Sequence, residues 1–70
     1  MLTKVWLFAC EKTLIAVYSS EPTVDYLKSI LKKRWEYLTD EQVKELFTKG
    51  WTTDGWYEWS LTKVEVENPE

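Results

Sequence analysis

The sequence contains no histidine, a single cysteine and only two glycines. Without histidine the chain cannot form a Ser-His-Asp triad or a Cys/His zinc site from its own residues. One cysteine cannot form a disulfide within the chain, and two separated glycines do not make the glycine-rich loop that cradles phosphate groups. These absences exclude the best-known catalytic and cofactor sites, so we expect no catalytic residue, no metal and no cofactor.

Carboxylates are the remaining candidates for acid–base chemistry, which needs one buried acid beside one that stays ionised. The candidates are Glu36, Asp40, Glu41, Asp54 and Glu58. Their spacing does not single out such a pair. Cys10 ends an apolar segment and has no histidine to activate it, so we expect a buried thiol rather than a nucleophile. The sequence therefore predicts a protein that is not an enzyme.

The size of the chain, 70 residues of which 44% are apolar and 30% charged, is typical of one folded domain over residues 1–70. A domain this small rarely gains enough stability from its core alone and usually adds disulfides, a metal or association with another chain. Because the composition excludes the first two, we expect association. The chain would form a homodimer or higher homo-oligomer, or a complex with a protein partner.

Charge is distributed unevenly: residues 1–35 carry six basic and three acidic groups, residues 36–70 three basic and nine acidic, and the net charge is −3. Such a protein is a poor general binder of nucleic acid, because phosphate contacts need many cations. Lys32-Lys33-Arg34-Trp35 could stack on bases, but it is more typical of a solvated helix end. Nucleic acid is therefore not the expected partner.

The location is predicted from the hydrophobic pattern and the thiol. The longest uninterrupted apolar run, Val5 to Cys10, is far shorter than the about 20 residues needed to cross a bilayer. The N-terminus lacks the regions of a signal peptide, and a free thiol suits a reducing compartment. We expect a cytoplasmic protein without a membrane segment.

Two apolar segments near the N-terminus, Leu2 to Cys10 and Thr13 to Tyr18, predict two strands of a hairpin. The residues between them are Glu11 and Lys12. Neither is Gly, Asn or Asp, the types that accept the positive φ of a tight hairpin turn. We therefore expect a turn of four residues or more.

Two helices follow the hairpin. Ser19-Ser20-Glu21-Pro22 is typical of a helix start, and the stripe that follows consists of Val24, Leu27, Ile30, Leu31 and Trp35. Thr39 and Gln42 have the spacing of a capping box, which predicts a second helix from Asp40. Gly50 suits the left-handed position after the end of this helix.

The segment after Gly50 has two interpretations. In the favoured one, Trp51 packs back on the second helix, and a single strand follows Gly55; in the other, Trp51 to Thr53 forms a strand of a hairpin around Asp54-Gly55. The favoured interpretation predicts an α+β domain with a three-stranded, mainly antiparallel sheet and two short helices in the order β-β-α-α-β.

The last strand changes phase along its length. Tyr57, Trp59 and Leu61 lie on one side, but Val64 and Val66 continue on the other. We expect a β-bulge near Thr62-Lys63 to restore the face, or the strand to leave the sheet there.

Candidate partner-binding residues come from two regions. If both helices lie on one side of the sheet, large apolar groups of the first hairpin remain uncovered; the alternative places one helix on each face. The second region is an aromatic group around Asp54-Gly55 that includes Glu58, expected either to form core or to recognise a basic protein surface. Its aromatic members are Trp51, Trp56, Tyr57 and Trp59. The candidates are Trp6, Phe8, Tyr18, Trp51, Asp54, Trp56 and Glu58.

One passage resembles known sequences. The strand–Tyr18-Ser19-Ser20–helix passage, which continues into Glu21-Pro22 and is followed by a late aromatic strand, resembles short uncharacterised proteins encoded by bacteriophages. This resemblance implies a phage or mobile-element accessory protein that binds and inhibits a host or defence protein. It carries over no functional residue. The alternative is a small-ligand or nucleic-acid-binding module that uses the aromatic group.

Overall fold

The computed structural model describes residues 2–67, which form one four-stranded sheet and two helices. The elements are β1 (Leu2–Cys10), β2 (Thr13–Tyr18), α1 (Val24–Lys33), α2 (Asp40–Thr48), β3 (Trp51–Thr53) and β4 (Glu58–Glu67). The strand order is β2-β1-β4-β3, and every neighbouring pair is antiparallel. The α+β class is confirmed, as are the bounds of the first two strands and the start of α2.

The prediction of three strands is wrong, because β3 adds a fourth at the edge beside β4. Gly50, with φ +87°, follows the end of α2 and turns the chain toward the sheet. Its carbonyl accepts the backbone N–H of Leu61 at 2.9 Å. Asp54 then accepts the N–H groups of Trp56 and Tyr57 at 2.8 and 2.9 Å, which closes the hairpin between β3 and β4.

The turn between β1 and β2 is also tighter than expected. It has two residues, Glu11 at φ 50° and Lys12 at φ 67°, and Cys10 pairs directly with Thr13. Contacts with β4 hold this unfavourable backbone: the Glu11 N–H donates to the carbonyl of Glu58 at 2.8 Å, and the Glu58 N–H donates to the Glu11 carboxylate at 3.0 Å. Tertiary hydrogen bonds thus replace the local preference for glycine.

The helices begin where side chains cap them. Thr23 accepts the N–H of Tyr26 at 3.1 Å at the start of α1. At the start of α2, Thr39 accepts the N–H of Gln42, and the Gln42 side chain accepts the N–H of Thr39. This is the predicted capping box.

β4 contains neither the bulge nor the departure predicted near Thr62-Lys63. It pairs with β1 without interruption, from Leu2 opposite Glu67 to Cys10 opposite Trp59. The register shift of the sheet lies in β2 instead, opposite Phe8 and Ala9. The apolar side of β4 therefore changes from one face of the sheet to the other.

Both helices lie on the same side of the sheet and bury one face of it, which rules out one helix on each face. The core consists of Phe8, Cys10, Leu27, Leu31, Leu38, Val43, Leu46, Trp59 and Leu61. Thr52 is the buried polar member and donates its hydroxyl to Glu45 at 3.0 Å. The Cys10 thiol is buried as predicted; burial raises its pKa, and the nearby Glu36 carboxylate adds to the effect.

Candidate protein-interaction surface

The side of the sheet opposite the helices is covered by no other element within residues 2–67. Strand pairing brings four strands together on this side: Val5 lies opposite Val64, Leu7 opposite Val17, Ala9 opposite Leu14 and Ser60 opposite Trp51. We call this side the open face. It comprises Thr3, Val5, Leu7, Ala9, Leu14, Val17, Trp51, Ser60, Thr62, Val64 and Val66.

The apolar residues of the open face are accessible to solvent. Leu14 is 55% exposed, Val17 53%, Trp51 46% and Val66 45%. None of these open-face residues carries a charge. The first charged side chain on this side of the sheet is Glu58, next to Ser60 along the face of β4. Depletion of charge together with accessible apolar groups is the composition found at the centre of protein interfaces.

The two sides of the sheet differ most where β1 and β4 extend beyond the other strands. β2 pairs with β1 only from Trp6 onward, so Leu2 to Val5 and their β4 partners form a two-stranded extension. On the helix side, this extension and its base carry four exposed charges and one exposed apolar residue: Lys4, Lys63, Glu65, Glu67 and Leu2. On the open side it carries Thr3, Val5, Val64 and Val66.

The two sides of this extension therefore differ in charge. On the helix side, side chains become charged where the helices no longer shield them, which is the pattern of a surface that remains in water. The open face carries no charge along the whole length of β1.

Three of the predicted contact residues lie on the helix side instead. Phe8 has no exposed surface, and Trp6 and Tyr18 are partly buried against the core. Large aromatic rings fill the space between sheet and helices, so these three residues belong to the packing of the domain. The Tyr18 ring meets that of Tyr26 edge to face at 5.5 Å, and burial raises the pKa of Tyr18.

The predicted aromatic and acidic group is divided among three environments. Trp51 lies on the open face, Trp56 is 88% exposed in the turn, and Trp59 is buried in the core. The Asp54 carboxylate is occupied within the turn, where the N–H groups of Tyr57 and Trp56 hold its pKa below the ordinary value. Glu58 is exposed at the end of β4. These residues therefore do not form one continuous recognition edge.

Sequence reasoning missed the exposure of Trp35, which it placed in the apolar stripe of α1. The helix ends at Lys33, and Trp35 is 96% exposed with φ 59°. The backbone N–H of Trp35 donates to the carbonyl of Lys32, and that of Glu36 donates to the carbonyl of Leu31. Trp35 therefore occupies the position that glycine normally holds in a Schellman motif. The four-residue spacing from Leu31 to Trp35 suggested a buried side chain, and no other signal in the sequence corrects it.

The signal for the open face was present in the sequence. It is the change of phase in β4, which places Val64 and Val66 on the same side as Val5, Leu7 and Ala9. Interpreted without a bulge, this pattern indicates that the apolar side of β4 switches faces.

No family model, curated protein or solved structure matches this chain. Within the described residues, no group of three or more His, Cys, Asp or Glu side chains is placed to hold a metal ion. Neither described helix has the length and hydrophobicity that a bilayer crossing requires. The class is therefore defined by the architecture: a small α+β domain with two helices on one face of a four-stranded antiparallel sheet and an apolar opposite face.

Proposed function

We propose that this protein is a non-enzymatic protein-interaction module and that the open face is its binding surface. The observation that supports the proposal is the contrast between the two sides of β1 and β4. The helix side becomes charged where the helices end, while the open side keeps Val5, Val64 and Val66.

The energetics favour a protein as the covering molecule. Burying a valine or leucine side chain completely contributes about 1.5–3 kcal/mol, and Leu14 and Val17 still expose about half of theirs. A nine-residue strand is about 30 Å long at about 3.3 Å per residue. An apolar surface of this length matches another folded protein better than a small ligand, which binds in a concave pocket.

The narrower form of this proposal is a phage-encoded inhibitor of a host or defence protein. It is supported by the resemblance of the Tyr18-Ser19-Ser20 passage to short bacteriophage proteins. The small-ligand or nucleic-acid alternative relied on one aromatic cluster, and Trp51, Trp56 and Trp59 lie in three different environments. That alternative therefore has no aromatic cluster to support it.

Pull-down experiments test the proposal, with the purified wild-type protein and matched variants as bait and a cell lysate as the source of partners. Leu14→Lys and Val17→Lys place a charge on the open face at positions exposed in the monomer, so the domain should still fold. Leu2→Lys is the control, because Leu2 is 64% exposed on the helix side of the sheet. Wild-type and Leu2→Lys proteins should retain the same partner, and both open-face variants should lose it. Retention by the open-face variants would contradict the proposal.

A further inference from the structure

The open face is suited to pairing with a copy of itself. In a two-fold dimer the same patch meets on both chains, so any charge near the centre of the patch faces a like charge or is desolvated. The open face avoids this cost, because none of the residues that define it carries a charge. The net charge of −3 is carried by the rest of the protein.

The shape of the open face also suits a second sheet. Leu14, Ala9, Ser60 and Trp51 form one row across all four strands. The two small residues lie in the middle and the two large ones at the edges, so a facing sheet could place larger side chains over the middle of the row than over its edges. Two sheets that pack in this way lie about 10 Å apart, with their inner side chains interdigitated.

The area of the open face agrees with a modest dimer. The strands contain 9, 6, 3 and 10 residues. Each residue covers about 16 Å² of the sheet, because the rise per residue is about 3.3 Å and neighbouring strands are about 4.8 Å apart. The flat area is thus about 450 Å², and side chains standing on it add accessible surface. Two facing copies would cover about 900 Å² of flat area in total, which is below the about 1,200–2,000 Å² of standard interfaces and in the range of weak ones.

We infer that the open face packs against the open face of a second copy, giving a two-sheet sandwich with the helices on its two outer surfaces. This inference rests on the proposed function, and it names a second copy, in place of a host protein, as the partner of the same surface. Dimerisation would give the domain a second core on the other side of its sheet. That is the kind of association by which small domains without disulfides or metals gain stability.

Sedimentation equilibrium of the purified chain tests the inference. Over about 1 µM to 1 mM, a range that spans weak to moderate interfaces, the mean mass should rise from 8.4 kDa toward twice that value. Leu14→Lys and Val17→Lys should weaken the dimer at least about tenfold, because each would bury an unpaired charge. Leu2→Lys should dimerise like the wild type. Val17→Thr keeps the β-branched shape and should give a smaller loss.

The outcomes separate the inference from the proposed function. The wild-type chain could stay monomeric at every concentration while the open-face variants lose a captured partner. That result would overturn the inference that the partner is a second copy, and it would leave the proposed function standing. A dimer that the open-face variants do not weaken overturns the inference, because another surface would hold it. A monomer with no partner lost by these variants overturns both.

Discussion

At the scale of single residues, Trp35 is a large aromatic side chain in a backbone conformation that normally requires glycine. Its φ of 59° lies in the left-handed region, where a side chain costs roughly 1–2 kcal/mol. The ring is 96% exposed and contributes little packing in return.

We predict that Trp35→Gly stabilises the domain by about 1 kcal/mol, because glycine adopts the left-handed position after a helix without strain. Trp35→Ala is the matched control: it removes the same ring but keeps a β-carbon. Urea denaturation should give a higher midpoint for Trp35→Gly than for Trp35→Ala. Equal midpoints would show that the backbone of Trp35 is not strained.

Asp54 provides a prediction about acid. Backbone N–H groups of Tyr57 and Trp56 lower its pKa in the folded protein. A lowered pKa stabilises the fold fully above the unfolded value of about 3.9, and this contribution is lost as the pH falls through the folded value. Asp54→Asn keeps an oxygen acceptor but does not titrate. The difference in Tm between wild type and Asp54→Asn should therefore shrink below about pH 4. A difference that is constant with pH would refute this assignment.

At the scale of elements, the sequence was informative where the signal is local. The capping box of Thr39 and Gln42 located the start of α2, and apolar runs located β1 and β2, because these patterns depend on residues close in the chain. β3 was only the second interpretation of its segment, because three residues are too short for a periodic pattern. The tight Glu11-Lys12 turn was missed because its support comes from Glu58, distant in sequence.

We predict that Thr39→Ala destabilises the domain by about 1 kcal/mol, since the N–H of Gln42 loses its acceptor. Thr39→Ser keeps the hydroxyl and should be close to wild type. Thermal unfolding followed by circular dichroism measures both variants. If Thr39→Ala unfolds at the same temperature as Thr39→Ser, the cap does not contribute to the stability of α2.

At the scale of the whole molecule, the arrangement of the helices decides which surface is available. Sequence reasoning anticipated that two helices on one side would leave a sheet face uncovered, but it named Trp6, Phe8 and Tyr18 as contacts. Both faces of β1 are apolar, so the sequence does not tell which one meets the helices. The structure places the aromatic side with the helices and the valine and leucine side opposite them.

The candidate site was therefore predictable in kind but not in its residues. Of the predicted contacts, Trp51 lies on the open face and Glu58 lies at its end. The other open-face residues are ordinary strand formers, and only the register between β1 and β4 shows that they share one side. Register depends on pairing between distant parts of the chain, which single-sequence patterns do not reveal.

The most direct test of the central claim measures whether the open face is covered when the protein is associated. A soluble paramagnetic probe relaxes the methyl groups that solvent reaches, and NMR can compare Leu14, Val17 and Leu2, which have similar exposure in the monomer. On association, the methyl groups of Leu14 and Val17 should become protected while those of Leu2 stay accessible. Equal relaxation at all three residues under associating conditions would contradict the account.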